Sequence, residues 1–299
     1  MSADASRGAP QGGDVPKVSA LVPVWNGADF VTRTLDTLAA QTWPNLEIVI
    51  GDDASPDGRT PDVLRAWAEG REGVKLILRE TNLGWAGNYN DLVEQASGAF
   101  VFFIAHDDYV PPNYVERLME AREAVPNAAC VYGDYQPPED PEELPGHMHW
   151  PDVEIAPTPF DQVLAAIRHR NGSCIPNKGL IPTEVHRRIG GLRRHAGGDF
   201  ETDWALMLRL YAQGPIVRVR EPLYVKRLRD DGISANWPRD VATWQAMLDC
   251  ASDSIRESPF LRPWQRARLL LALRLRHGRA GWPTRLPGRV RRRLTRWLG

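Results

Sequence analysis

Two adjacent acids close the most hydrophobic run of the chain. Residues 99–110 read AFVFFIAHDDYV, so the run ends at His106, Asp107 and Asp108. Neighbouring carboxylates repel, and neither is buried alone without a large desolvation cost. The pair is therefore either a solvated turn or a place where something positive binds. A second acidic pair, Asp52–Asp53, follows LEIVI (46–50) in the stretch GDDASPDG. Hard carboxylate oxygens suit Mg²⁺ or Mn²⁺, which keep several waters and bridge one or two acids to a substrate's phosphates. Such an ion offsets the repulsion within Asp107–Asp108 and helps a phosphate to leave. Taken alone, DDASPDG is also good turn sequence, since Asp, Ser, Pro and Gly each favour turns for local reasons.

Both pairs fall at the ends of predicted strands. VSALVPVW (18–25), LEIVI (46–50), VKLIL (74–78), AFVFFIA (99–105) and AACVYGDY (128–135) read as strands. Helical patterns separate them. One carries Phe30, Leu35 and Leu38 on one face, one opens at Thr60 and Pro61 as N-cap and first residue, and others span about 86–96 and 112–124. Apolar strands alternating with helices predict a mostly parallel sheet flanked by helices, whose ligands sit beyond the carboxyl ends of the strands. Beyond the series, 136–157 is acidic and proline-rich, either a lid or acceptor-recognition loop or a solvated insertion. A helix is expected over 158–169, irregular chain to about Gly198, and a strong amphipathic helix over 203–214. PIVRVR and PLYVKR read as two short strands, and the rest as helical.

Composition narrows the class. The 299 residues are 42% hydrophobic and 25% charged, ordinary for a globular protein. The first sixteen are polar and Gly/Pro/Ala-rich, which reads as a flexible leader rather than a signal peptide. No run approaches the roughly 18–20 apolar residues of a membrane-spanning helix. Cys130, Cys174 and Cys250 show neither metal spacing nor a disulfide framework and read as small buried thiols in a reducing cytoplasm. No GxGxxG follows the first strand and no GxxxxGK[ST] occurs, which argues against dinucleotide and P-loop folds.

The ordered segments VSALVPVWNG, TLDTLAAQTWPNLEIVIGDDASPDG, NLGWAGNYNDLVEQASGAFVFFIAHDDYVPPNYV and IGGL…ETDWALMLRLYAQG…EPLYVKRLRDDGIS resemble inverting family 2 glycosyltransferases of the GT-A (nucleotide-diphospho-sugar transferase) fold. The similarity covers roughly residues 17–235. It implies transfer of a sugar from a nucleotide-sugar, a UDP-sugar, to an acceptor hydroxyl with inversion, in bacterial cell-surface polysaccharide or glycoconjugate synthesis. It also implies a divalent cation, Mn²⁺ or Mg²⁺, as cofactor, and a glycan or lipid-linked acceptor. Pro23, Val24, Trp25 and Asn26 match the segment that contacts the base, with Trp25 able to stack on uracil; a core aromatic is the plainer alternative. Asp53 matches the aspartate that bonds the uracil imide, and Asn82, Gly84 and Asn90 match a region near the donor, where capping and turn roles compete. Asp107 and Asp108 match the DxD-type metal site, with Asp108 the direct ligand and Asp107 touching either the metal or the ribose of the nucleotide-sugar; His106 stands where the commoner form has its first Asp and is given no ligand role. Asp203 matches the catalytic aspartate, with helix capping as its alternative and Asp199 and Glu201 nearby. Arg227 matches an arginine that faces the diphosphate, with Lys226 and Arg229 as alternatives.

The implied organisation is a leader (1–16), a nucleotide-sugar-binding half (17–135), an acceptor-binding and catalytic half (136–235) and a helical, arginine-rich C-terminal extension (236–299). Residues 261–299 hold twelve arginines and no acid, leaving 25 bases and 38 acids elsewhere, a net of −13. Val290, Leu294, Trp297 and Leu298 share one side of a basic helical pattern. It suits peripheral contact with the inner face of an anionic membrane, or packing on the chain's own acidic body. No aromatic platform accompanies the arginines, so nucleic acid is not an expected partner. The competing functions are a noncatalytic sugar- or nucleotide-binding scaffold of the same fold and a nucleotidyltransferase. The nucleotidyltransferase's glycine-rich start motif is missing.

Overall fold

The computed structural model describes residues 15–136, 156–168, 175–227 and 240–277. Among these described residues the strands are β1 (Val18–Val24), β2 (Leu46–Asp52), β3 (Val74–Leu78), β4 (Phe100–Phe103), β5 (Cys130–Gln136), β6 (Ile181–Pro182) and β7 (Ile216–Val225). The helices among the described residues are α1 (Val31–Ala39), α2 (Thr60–Ala68), α3 (Gly84–Gln95), α4 (Tyr114–Ala124), α5 (Pro159–Arg168), α6 (Thr183–Ile189), α7 (Thr202–Tyr211), α8 (Val241–Arg256) and α9 (Pro263–His277). The main sheet has the order β3-β2-β1-β4-β6, parallel except for β6.

Each central strand is buried on both faces, which is why it reads as an unbroken apolar run. Ala20, Val22, Ile48, Ile50, Phe102 and Ile104 pack on one side with Val31, Leu35, Leu38, Leu64 and Leu118 from α1, α2 and α4. Leu21, Val49, Val101 and Phe103 face the other way, into a core with Tyr89, Ala166, Trp204 and Met247 from α3, α5, α7 and α8. The core is thus divided by sheet face, and residues from 17–135 and 136–235 share it.

Several elements differ from their expected form. β5 leaves the strand series and pairs in parallel with β7 in a separate two-stranded sheet, touching the main sheet through a bridge between Val131 and Leu180. PIVRVR and PLYVKR are one strand, β7, carried past Glu221–Pro222 by irregular register against Gly133–Tyr135. The irregular stretch before Gly198 contains a 3₁₀ turn (Ile175–Lys178), β6 and α6. α7 is not amphipathic: nine of its ten residues are buried and only Asp203 is not. Helices packed on all sides lose the polar stripe.

Thr60 is not the N-cap of α2. Arg59 is the N-cap residue, and Asp57 before it accepts from the N–H groups of Arg59 and Thr60 at 3.0 and 2.9 Å. The Thr60 hydroxyl instead accepts from Gly27 and Ala28 N–H at 2.9 and 3.0 Å, holding the loop after β1. Val15 and Pro16, assigned to the leader, are tied down: their carbonyls accept from the Asn45 amide at 2.7 Å and the Trp43 indole at 3.0 Å. Cys130 is buried and Cys250 half-buried, both as thiols. Cys174, Arg229, most of the 136–157 loop and the basic pattern at 290–298 lie outside the described residues.

Candidate active site at the carboxyl edge of the sheet

The ends of β1, β2 and β4 bring three of the expected groups to one edge. Trp25, just past β1, is 39% exposed and so is no core aromatic. Asn26 takes a left-handed φ of 50°, and its N–H donates to Ser55 Oγ at 2.8 Å. Its Oδ1 is buried with no partner among the described residues. Pro23 and Val24 are buried within β1.

Asp53, 3% exposed, follows β2 and anchors the turn into α3. Its Oδ1 accepts from Leu83 N–H at 2.7 Å, and its carbonyl accepts from the Asn82 amide at 2.8 Å. Burial raises the carboxyl's pKa, against the lowering effect of the Leu83 and Gly84 N–H groups and of Arg79. Gly84 sits at φ 76°, and a Cβ there would lie 2.9 Å from Asp199 Oδ2. Asn82, Gly84 and Asp53 therefore form one unit. Asn90 does not join it. Its amide donates to the Leu192 carbonyl at 2.8 Å and its Oδ1 accepts from Leu192 N–H at 2.7 Å, a clasp between α3 and the turn after α6.

Beyond β4 the chain turns at Ala105–Asp108, closed by a bond from Asp108 N–H to the Ala105 carbonyl at 3.0 Å. The Thr34 hydroxyl lies 2.8 Å from the carbonyl oxygens of both His106 and Asp108 and pins this turn to α1. The two acids then diverge. Asp107 is half-buried, whereas Asp108 is 2% exposed and turned inward. Asp108 Oδ2 accepts from the Tyr224 hydroxyl at 2.6 Å, and its Oδ1 from Arg227 N–H at 2.9 Å. Burial raises the Asp108 pKa, while Lys178, Tyr224 and the Arg227 N–H oppose it. The expected diphosphate contact, Arg227, is exposed, and its guanidinium stacks on Phe30 at 4.8 Å from the ring centroid.

Asp203 enters from the second half of the chain. Its Oδ1 accepts from Trp204 N–H at 2.9 Å and its Oδ2 from the Asn177 amide at 3.2 Å. Asp199 is committed elsewhere: it accepts from Ala86 N–H at 3.4 Å and pairs with Arg194 at 3.3 Å. Half-buried Lys178 stands next to Asn177, which holds Asp203, and near the ring of Tyr224, which holds Asp108. Its Nζ stands 3.5 Å from the centroid of the Phe103 ring, and the Tyr114 hydroxyl bonds its carbonyl. Gly179 lets this turn lie against β5, since a Cβ would stand 2.5 Å from the Val131 carbonyl oxygen and 2.7 Å from Cys130 Sγ.

A lysine ammonium of the protein itself thus shares the surroundings of Tyr224 with Asp108. Sequence reasoning missed Lys178, Asn177 and Tyr224. The only cue was one lysine between Asn and Gly in a segment without periodicity. Among the described residues no three-carboxylate or histidine cage exists. A half-exposed carboxylate beside a buried one, each oxygen of the latter keeping a second lone pair, fits an ion that takes one or two acids plus phosphate oxygens and water.

The family model for "Glycosyl transferase family 2" matches residues 19–190. This chain belongs to that family. Among its curated relatives, this family 2 member is 30% identical over 246 residues to the uncharacterized protein y4gI of Sinorhizobium fredii, covering 82% of this chain and 24% of that protein. It is 32% identical over 105 residues to the putative teichuronic acid biosynthesis glycosyltransferase TuaG of Bacillus subtilis, covering 35% of this chain and 41% of TuaG. The chain thus spans less than half the length of either relative. Among solved structures, S. aureus TarS 1–349 in complex with UDP-GlcNAc aligns with a TM-score of 0.70 at 18% identity, over 87% of this chain and 72% of that one. The mannosyltransferase PcManGT of Pyrobaculum calidifontis, in complex with GDP-Man and Mn²⁺, aligns with a TM-score of 0.59 at 20% identity, over 86% and 68%. The family 2 member therefore has a GT-A-like fold, with helices α8 and α9 added at its C-terminal side.

Proposed function

We propose that this chain moves a sugar from a UDP-sugar to an acceptor hydroxyl with inversion at the anomeric carbon, in synthesis of a bacterial cell-surface polysaccharide or glycoconjugate. The observation that carries the reading is that Asp108, held by Tyr224 just beyond β4, and Asp203, held by Asn177, come from distant parts of the chain and are linked through Lys178, which follows Asn177 and lies by the Tyr224 ring. The teichuronic acid assignment of TuaG and the UDP-GlcNAc complex of TarS support the pathway class and the donor.

Each group then has a role. Trp25 offers an exposed face for the base, and the buried Oδ1 of Asn26 offers an acceptor beside it. Asp53, braced by the Asn82–Gly84 turn, receives the uracil edge. Asp107 and Asp108 would hold a divalent cation, as the Mn²⁺ of PcManGT suggests, and that ion supplies electrophilic help to the departing diphosphate. Asp203 takes the proton of the acceptor hydroxyl as its oxygen bonds to the anomeric carbon. The bond from that carbon to the diphosphate oxygen breaks, and the nucleoside diphosphate leaves with the electron pair. A single base facing the donor gives inversion, since no second carboxylate is needed to form a covalent sugar intermediate. The acceptor is a glycan or a lipid-linked acceptor. Among the described residues no helix is long and apolar enough to cross a membrane.

The test is Asp203→Asn assayed for UDP release from a panel of UDP-sugars, with UDP binding measured in parallel. Turnover is expected to fall by about 10²–10⁴-fold, the range of a general base, with UDP affinity retained. Unchanged turnover would remove Asp203 from the chemistry. Tight UDP binding without turnover by the unaltered protein on any donor and acceptor would favour a scaffold. The anomeric configuration of the product by NMR decides inversion.

A further inference from the structure

Lys178 has a task that the sequence motifs do not assign. It lies at the end of a 3₁₀ turn, with its ammonium 3.5 Å from the Phe103 ring centroid and 5.7 Å from that of Tyr224. The aromatic faces attract the cation without neutralising it. Burial draws its pKa down to about 8, while Asp108, Asp203 and Asp107 act in the opposite direction and Lys226 adds to the lowering. Its neighbours fix its position: Asn177 donates to Asp203, Tyr224 donates to Asp108, and Tyr114 holds the Lys178 carbonyl. The lysine is thus placed next to the residue that holds the base and beside the ring whose hydroxyl holds Asp108.

We propose that Lys178 is a positioning residue, a resident counter-cation that holds the Asp107–Asp108 pair and Asp203 together and supports a nucleoside diphosphate before any divalent ion joins it. The proposal rests on the sugar-transfer reading for its ligand. Without the lysine, three carboxylates are left with one positive charge fewer. Such a cluster attracts Mn²⁺ more strongly and repels a diphosphate more strongly. A residue that only packed would not move these two affinities in opposite directions.

The experiment compares the full chain with Lys178→Met and Lys178→Arg by calorimetry. UDP is titrated with and without Mn²⁺, Mn²⁺ is titrated without nucleotide, and thermal melting reports folding. Lys178→Met is expected to weaken metal-free UDP binding by about tenfold, the size of one charged contact, and to tighten nucleotide-free Mn²⁺ binding several-fold. Lys178→Arg should retain metal-free UDP binding. The proposal is overturned if Lys178→Met leaves both affinities unchanged, or weakens both together with a lowered melting temperature. If the unaltered protein binds no UDP in either condition, the sugar-transfer reading fails. The Mn²⁺ titration alone then decides whether Lys178 is the counter-cation of the carboxylates.

Discussion

The Tyr224 hydroxyl donates to Asp108 Oδ2 at 2.6 Å, joining residues 116 positions apart in the chain. The same hydroxyl lies 3.5 Å from the Ala105 N–H, and a backbone bridge between Tyr109 and Val225 runs alongside. Strand β7 therefore sets the rotamer of a carboxylate at the end of β4. Replacing Tyr224 with Phe removes one donor from a buried anion, a loss of about 1–3 kcal/mol. Chemical unfolding is expected to show that loss, and UDP–Mn²⁺ affinity should fall with it. Preserved affinity at reduced stability would confine Tyr224 to the fold.

The Gly84 turn admits no side chain. Gly84→Ala sets a Cβ 2.9 Å from Asp199 Oδ2 at a φ of 76°, where an L-residue is strained by roughly 1–2 kcal/mol. Because Leu83 N–H and the Asn82 amide brace Asp53 through this turn, the variant is expected to bind UDP more weakly as well as melt earlier. Equilibrium dialysis with UDP checks the first effect and calorimetry the second.

Acid sensitivity should arise at the opposite edge of the sheet. Burial alone would raise the Glu47 pKa, but bonds from Ser19, Ser97 and Lys17 outweigh it and bring the carboxyl from its ordinary 4.5 to about 2. A folded-state pKa below the unfolded one contributes stability that is present above the unfolded value and lost as pH falls through the folded one. The contribution is of order 3 kcal/mol, complete above about pH 5 and lost toward pH 2. Urea unfolding across pH 2–6 should show this slope in the unaltered protein and lose it in Glu47→Gln. Parallel slopes in the two proteins would sink the assignment.

Arg209 lies six residues beyond Asp203 but has a different task. It is buried, donates to the Gly191 carbonyl and, at 2.8 Å, to Ser254 Oγ, and so ties α7 to α8 and to the turn after α6. Burial draws its pKa down to about 10. Arg209→Ala should cost about 3 kcal/mol by leaving buried acceptors without donors, with Kd for UDP unchanged in the fraction that stays folded. A large change in Kd would place Arg209 in the site.

The four parallel strands of the main sheet were legible, and for β1, β2 and β4 the reason is burial on both faces, which leaves an apolar run that local sequence cannot hide; β6, two residues long, was not. The positions of Asp53 and Asp107–Asp108 were legible for the same reason, being the polar residues at which those runs stop. β5 was read as a strand but not its partner, since pairing with β7 is decided across more than eighty residues. α7 was read as amphipathic because Asp203 and Arg209 are polar, although Arg209 is buried against Ser254. Lys178 and Tyr224 were invisible for a related reason. Their roles come from what the fold places opposite them, not from spacing along the chain. Asn90 carried a motif's letter while its amide groups serve Leu192.

Gly179 limits how this edge can be altered. Its missing Cβ leaves room for the Val131 carbonyl and Cys130 Sγ, so the turn beneath the Lys178 ammonium rests directly on β5. A side chain at 179 would press on the Val131 carbonyl and Cys130 Sγ, so substitution there is expected to move the turn that carries Lys178. A library that varies 178 and 179 together would therefore confound charge with displacement. Charge at this edge is separable from geometry only while the glycine stays.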